Sequence, residues 1–292
     1  GKYNQVLVTN YRDFLLIGMD ADGKPARLES FRIAESESAF WLLAATPRKT
    51  AKQLEDRLTD FLKRVMLHSA SLREPEDVAW FLASYAHEAR ARLEQRNDLP
   101  FLRNVREALE ESLGLKFEGT KGDHFFRSSL VQTLFYGIFS AWVLWSEEHQ
   151  PGKSQGRFDW KSAAWSLHLP MVRELFEQVA RPTTLGPLAI AEVLDWAEMV
   201  LNRVDRTSFF HKFEEADAIQ YFYEPFLAAF DPELQKAVGV WYTPPEIVKY
   251  MVARVDTVLR EELGIGDGFA DPRVYVLDPA NGTGSYIVEV LK

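Results

Sequence analysis

Apolar residues change their spacing twice along this chain, and each change marks a different kind of element. Between residues 5 and 33 they come in short aliphatic runs: Val6-Leu7-Val8, then Phe14-Leu15-Leu16-Ile17, then Ala26 through Ile33 with polar residues interleaved. Ala21-Asp22-Gly23-Lys24 separates the last two runs, and Asp-Gly in that position signals a hairpin. Three strands alone are marginal in water, so residues 1–35 read as the β-rich remnant of a larger domain.

From residue 36 to 238 the spacing is three and four, which predicts helices almost throughout. Ser36 is placed as an N-cap with Glu37 behind it, where a carboxylate favours the helix start. Thr50 to His68 carries Leu54, Leu58, Phe61, Leu62, Val65 and Met66 on one stripe. Glu74 to Arg92 repeats the pattern with Val78, Phe81, Leu82 and Tyr85. Residues 128–146 are apolar on nearly every side, the pattern of a helix at the centre of a bundle. That segment is also about long enough to cross a membrane, but its amphipathic neighbours favour the buried reading. Polar, turn-forming residues from Pro151 to Trp160 make the best internal break. Further helices fit 169–180, 186–203 and 214–230.

After Gly239 the pattern changes again. Pro244 and Pro245 open a helix, a position where a missing N–H costs nothing. It runs through Ile247, Val248, Met251, Val252, Val255, Val258 and Leu259 to Leu263, with Gly264 as a C-cap. Val274-Tyr275-Val276-Leu277 then predicts a strand buried on both faces, followed by a glycine-rich turn and a new helix from Ser285. The fold class is therefore mainly α, followed by the start of an α/β Rossmann-like fold, with a short β remnant at the N-terminus. The corresponding domains are 1–35, 36–238 and 239–292.

Composition narrows the function classes. The 292 residues are 47% hydrophobic and 26% charged, as in globular proteins, and the net charge is −9. An acidic balance is mild evidence against this stretch being the main grip on DNA. Cysteine is absent, which removes thiol nucleophiles and cysteine metal sites and fits a cytoplasmic location. The first residues lack a secretory apolar core, so neither signal peptide nor membrane partner is expected. His87-Glu88 begins like a zinc-protease motif, but residue 91 is Ala, so the pair reads as a solvated helix face and no metal site is expected.

The glycine turn carries the chemistry. Asp278, Pro279, Ala280, Asn281, Gly282, Thr283 and Gly284 lie where a doubly wound sheet binds ligands, beyond the carboxyl end of a strand. Gly282 and Gly284 let backbone approach a ligand closely. Asp278 suits a positively charged partner and would repel a pyrophosphate. The spacing is not that of a dinucleotide-binding turn, because the third glycine position is Ile287, and no Gly-Lys-Ser/Thr follows. Gly264-Ile265-Gly266-Asp267-Gly268 follows a helix and reads as a loop.

Asp278 through Tyr286 resembles motif I of the DNA adenine-N6 methyltransferases, Asp-Pro-Ala-x-Gly-Thr-Gly-x-aromatic or Leu, at every position. Trp241-Tyr242-Thr243-Pro244 resembles that family's Tyr-Thr-Pro motif, which precedes motif I by some 30 residues. The resemblance implies S-adenosylmethionine as cofactor, held by Tyr242, Thr243 and Pro244 on one side and Asp278 to Gly284 on the other. It implies double-stranded DNA as partner through a full-length protein. Residues 221–244 resemble the lead-in of large single-chain restriction–modification enzymes, and Val6 to Leu16 resembles the closing strand of their nuclease domain. The chain is then expected to be truncated at both ends, with 36–238 as a helical connector. The family's Asn/Asp-Pro-Pro-Tyr/Phe motif, which receives a flipped adenine, is absent from residues 1–292. No catalytic residue is therefore expected here.

Alternatives stay open at this point: a methyltransferase acting on protein glutamine or RNA, or a non-catalytic coupling or specificity module. Within the connector, Phe40, Trp41, Trp80, Phe81, Phe125, Phe126, Trp142 and Trp145 read as core aromatics rather than base-stacking platforms. Arg48, Lys49, Lys52, Arg57, Lys63 and Arg64 read as a solvated face rather than a DNA contact.

Overall fold

The computed structural model describes residues 4–19, 23–95, 100–114, 116–149, 156–162, 187–211, 215–232, 243–279, 281 and 284–292. It divides into two compact units, Gly1–Leu234 and Gln235–Lys292.

The first unit opens with an antiparallel sheet of β1 (Gln5–Thr9), β2 (Asp13–Met19) and β3 (Pro25–Arg32), in that order. Val6 pairs with Ile17 and Phe14 with Phe31, and the register shifts between Leu16 and Ile17. Gly23 takes a positive φ of 74° in the β2–β3 turn, as an Asp-Gly hairpin requires. One side of the ribbon is buried through Leu16, Leu28 and Phe31. Phe31 stacks on Phe61 of the following helical layer with ring centroids 5.5 Å apart. The ribbon thus gains the second layer that three strands need.

The helices are α1 (Glu37–Ala44), α2 (Pro47–Leu67), α3 (Pro75–Glu94), α4 (Pro100–Leu113), α5 (Gly119–Glu148), α6 (Ala191–Leu201), α7 (Arg206–His211) and α8 (Glu215–Phe230). Ser36 Oγ accepts a bond from the Ala39 amide at 3.2 Å, so the expected serine cap forms. The helix expected over 169–180 lies outside the described residues. α4 lies where no helix is expected from the spacing, and α5 starts well before residue 128.

α5 is the described helix long and apolar enough to cross a membrane, and most of that apolar window is buried. Its partner is α8, where Phe222, Phe226 and Phe230 recur every fourth residue and stack on one another. Phe139 of α5 lies flat on Phe222, ring centroids 3.6 Å apart and 11° from parallel. Trp142 meets Phe209 edge-on at 5.3 Å. Offset and edge contacts of this kind add to the area term for burying rings. Phe81, Phe126 and Trp142 are buried and Phe40, Trp80, Phe125 and Trp145 partly so, whereas Trp41 is 63% exposed.

Two expectations about charged residues are corrected. Arg64 is buried and donates through Nε to Glu29 of β3 at 2.6 Å, with Tyr85 Oη also donating to that carboxylate at 3.4 Å. Arg57 donates to Glu88 at 2.8 Å, so the basic cluster keeps only Arg48, Lys49, Lys52 and Lys63 in solvent. His87-Glu88 is not a solvated pair either. His87 faces Asp60 at 2.9 Å through Nδ1 and the Phe230 carbonyl at 2.8 Å through Nε2. Glu88 is buried between Arg57 and Arg92. The reason is the same in each case: a partner from another element replaces water.

Arg92 continues the chain of charge to Glu192 of α6 at 3.2 Å, and Glu192 accepts from Arg27 of β3 at 2.6 Å. Asp231, just after α8, accepts from Arg90 at 3.0 Å and Ser128 at 2.7 Å and faces His124 at 2.9 Å. Burial pushes the Glu29 carboxyl above its ordinary range despite Arg64. Burial would raise Glu88 as well, but Arg57 and Arg92 outweigh it and hold Glu88 below.

Two outcomes follow from this arrangement. Arg64→Ala leaves a buried carboxylate unpaired and should destabilise the chain by about 3–5 kcal/mol. The double variant Glu29→Gln/Arg64→Met should recover most of the loss in urea unfolding. Glu88, with its pKa depressed, adds stability that is present above the ordinary carboxylate value and is lost as pH falls through the folded value. The stability gap between wild type and Glu88→Gln should therefore be widest near neutral pH and close below about pH 4; a gap that does not change with pH would refute the assignment.

Candidate cofactor site

The second unit is built around α9 (Pro245–Thr257), which continues through a π-helical turn over Val258–Glu262. Pro244 ends the incoming segment with extended backbone, and its carbonyl accepts from the Ile247 and Val248 amides at 2.9 and 3.1 Å. Proline at both positions suits a helix start, and Val248 is the buried anchor of the first turn. Gly264 takes φ +67° after the π turn, and Ile265 N–H reaches back to the Leu259 carbonyl at 2.8 Å. The expected glycine C-cap is therefore present, after a wider last turn than an α-helix has.

The loop after it is braced by one arginine. Arg260 donates to Asp256 at 2.6 Å, to the Gly266 carbonyl at 2.6 Å and to the Asp267 carbonyl at 3.2 Å. The other Asp256 oxygen accepts from the Phe269 amide at 3.1 Å. The Arg260 guanidinium, with that amide, holds Asp256 below the usual carboxylate range. Asp271 is held down to about 2 by the side chain and amide of Arg273. The loop is as expected from the sequence, and the brace is an addition to it. Asp256 and Arg260, four residues apart on a helix, were its legible signal.

Val274 to Leu277 departs from expectation. No strand forms there among the described residues, and Tyr275 and Leu277 are 92% and 86% exposed. A parallel strand takes its hydrogen bonds and burial from neighbours on both sides. The described strands, β1 to β3, are antiparallel and belong to the first unit. The Rossmann-like start is thus not formed as a sheet here.

The glycine turn is better defined at its end. Asp278 is half-buried, while Pro279 and Asn281 are exposed. Gly284 is buried with φ +83°, donates to the Asn281 carbonyl at 2.7 Å, and accepts from Val288 at 2.8 Å to start α10 (Ser285–Leu291). Among the described residues a side chain at 284 would meet the Asn281 amide at an ordinary 3.8 Å, and the positive φ calls for glycine. Tyr286 Oη donates to Met251 Sδ at 3.2 Å, seating α10 on α9. Upstream, Thr243 is partly buried and Pro244 exposed. Tyr242, Ala280, Gly282 and Thr283 lie outside the described residues. The structure thus brings together the two helices that follow the two motifs.

Three comparisons with known proteins bear on the chain, and the family comparison agrees with the motif. Residues 214–292 match the family described as N-6 DNA methylase. Among curated proteins, none matches the chain. A solved structure, the DrdV–DNA complex, is 20% identical over 99% of this chain, with a TM-score of 0.38. The chain spans 25% of the length of that one. The C-terminal segment is accordingly similar to DNA methylases that act at N-6.

Gly268→Ala tests the brace. Its Cβ would lie 1.9 Å from Asp256 Oδ1 and 2.7 Å from the Arg260 guanidinium, at a φ of +58°. This variant should expose residues 264–273 to rapid proteolysis. Gly284→Ala, strained only in φ, should cost about 1–2 kcal/mol and leave that loop protected; equal protection in both variants would refute the brace.

Proposed function

We propose that this chain is part of an S-adenosylmethionine-dependent DNA adenine-N6 methyltransferase, in a large single-chain protein of a restriction–modification or phage-defence system. The observation that carries the proposal is the run Asp278 to Tyr286, whose left-handed Gly284 starts the helix Ser285–Leu291. The similarity of residues 214–292 to N-6 DNA methylases supports it, as does the packing of α10 on the helix that follows Tyr242-Thr243-Pro244.

The residues present fit this cofactor. At Gly284 the backbone carries no side chain and adopts a conformation that other residues rarely take. The Asp278 carboxylate suits the cationic methionine end. Tyr242, Thr243 and Pro244 would line the opposite side, and Asp278 through Gly284 would hold the near side. When bound, the cofactor supplies a methyl group activated by its sulfonium. The chain's own residues would bind and orient it and keep water from it.

Base recognition is assigned elsewhere in the whole protein, since residues 1–292 contain no Asn/Asp-Pro-Pro-Tyr/Phe motif. We assign residues 36–238 as the connector, residues 1–35 to the end of a nuclease domain, double-stranded DNA as the substrate and the cytoplasm as the location.

Calorimetry on a longer protein that includes a downstream Asn/Asp-Pro-Pro-Tyr/Phe motif should detect S-adenosylmethionine binding. Asp278→Ala should weaken it by roughly 10–100-fold, the range for loss of a charged hydrogen bond. Tritium from labelled cofactor should enter duplex DNA with the longer protein and not with residues 1–292. Unaltered binding by Asp278→Ala removes the role given to that carboxylate, and transfer by residues 1–292 alone overturns the assignment.

A further inference from the structure

A cavity of about 830 Å³ lies in the first unit, between β2, β3, α1, α2, α3 and the start of α6. Its wall includes Arg27, Arg57 and Arg92 with Glu88 and Glu192, three guanidinium groups to two carboxylates. The other acids on the wall have cations of their own. Asp13 pairs with Arg12 and Arg32, Glu35 with Arg32, and Asp195 with Lys161. The ion pairs also leave part of each arginine unused. Arg57 donates to Glu88 through Nε and Nη2. Arg92 donates through Nε to Glu88 and through Nη1 to Glu192 and the Ala189 carbonyl. Nη1 of Arg57 and Nη2 of Arg92 have no hydrogen-bond partner among the described residues, and neither is sealed from solvent. The two groups lie either side of Glu88, and each is steadied by a ring: Arg57 5.3 Å from the centre of Phe31, Arg92 5.2 Å from that of Trp196.

The apolar side of the cavity is Leu15 of β2 with Ala39, Leu42 and Leu43 of α1. α1 is apolar from Ala39 to Ala44 yet buries no residue, and Leu42 is 76% exposed. Most helices owe their stability to an apolar face packed on a neighbour. α1 is held instead by the Ser36 cap and by the Thr50 hydroxyl, which donates to the Leu43 carbonyl at 2.8 Å. Ala189, also on the wall, has a left-handed backbone with φ 53°. Residues with a Cβ rarely take that conformation, and it collects where ligands bind. Ion pairing alone accounts for Glu88 and Glu192. It does not account for the third arginine, for the open N–H groups, or for an apolar helix left uncovered beside the same cavity.

We propose that this cavity binds a small aliphatic carboxylate, its head on the open N–H groups of Arg57 and Arg92 and its chain against Leu42 and Leu43. Charge-assisted bonds from two guanidinium groups suit such a head. The one surplus positive charge matches a single negative charge, and Glu88 and Glu192 would repel a second. Arg27, whose side chain is 57% exposed, draws the anion in from solvent. The site is independent of the methyltransferase reading.

Calorimetry and thermal unfolding on the 292-residue chain test this with octanoate, against the neutral octanol and the cationic octylammonium. Octanoate should bind saturably and raise the Tm, and the other two should bind at least about tenfold more weakly. Arg57→Lys keeps the charge but loses the open Nη1, and should weaken octanoate by about tenfold. Should that variant fail to fold, Leu42→Glu, at an exposed position on the apolar side, should still weaken octanoate several-fold with Tm unchanged in the absence of ligand. The proposal is overturned by an absence of saturable octanoate binding, by equal binding of octanol or octylammonium, or by unaltered binding in the folded variants. Binding of a short DNA duplex that is lost in Arg57→Lys, without octanoate binding, would assign the arginines to backbone phosphates and overturn it as well.

Discussion

Charge buried between the sheet and the helices sets the register of the first unit. Arg27 and Glu29 are two apart on β3, and each meets a different element: Glu192 of α6 and Arg64 of α2. Glu88 and Arg92, four apart on α3, link Arg57 of α2 to Glu192. Removing such groups from water costs more than a simple contact returns unless geometry is good. A slip of β3 by one residue would turn both its charges to the other face. It would take Arg27 from Glu192 and leave the buried Arg64 without its carboxylate, so the penalty falls mainly on Arg64. Apolar contacts between Phe31 and Phe61 would tolerate small shifts; the ion pairs do not.

The rest of that unit is organised differently. Where α5 meets α8 the contact is aromatic, with Phe139 flat on Phe222 and the ladder continuing to Phe226 and Phe230. Rings at four-residue spacing on one helix give a continuous stripe but little positional preference along it. Asp231 supplies the missing stop. Placed one residue after Phe230, it gathers Arg90 of α3 and His124 and Ser128 of α5 around one carboxylate. His87 adds a second tie by reaching the Phe230 carbonyl. Non-directional burial supplies the bulk of the attraction, and a few directional polar contacts choose one arrangement.

This division explains what could be read from the residues. The stripes that define α2, α3 and α8 are local, and so are the Ser36 cap, the Asp-Gly hairpin and the Gly264 C-cap. All are present in the structure. Arg64 and Glu88 look solvated in the sequence because polar residues lie close to them in the chain. Their partners lie 35 and 31 residues away, at Glu29 and Arg57, and no periodicity announces such pairs. The apolar pattern of α5 is shorter than the helix for a related reason. Its first turns are polar, yet Arg106 of α4 reaches Asp123 there and the Phe117 carbonyl just before them. The acidic net charge likewise said nothing of where the arginines sit.

The same distinction separates the two halves of the glycine-turn motif. Gly284 needs only its own φ, the Asn281 carbonyl and the following helix, and all three lie within eleven residues. That half forms, and Tyr286 then seats it on Met251. The preceding strand needs neighbours distant in sequence, and among the described residues Tyr275 and Leu277 remain in solvent. Tyr250 and Val255 of α9 are also exposed. Among the described residues that carry the resemblance to N-6 methylases, Gly284 is thus the one whose geometry is local. The environment that would turn Asp278 into a cofactor ligand is built from longer-range contacts.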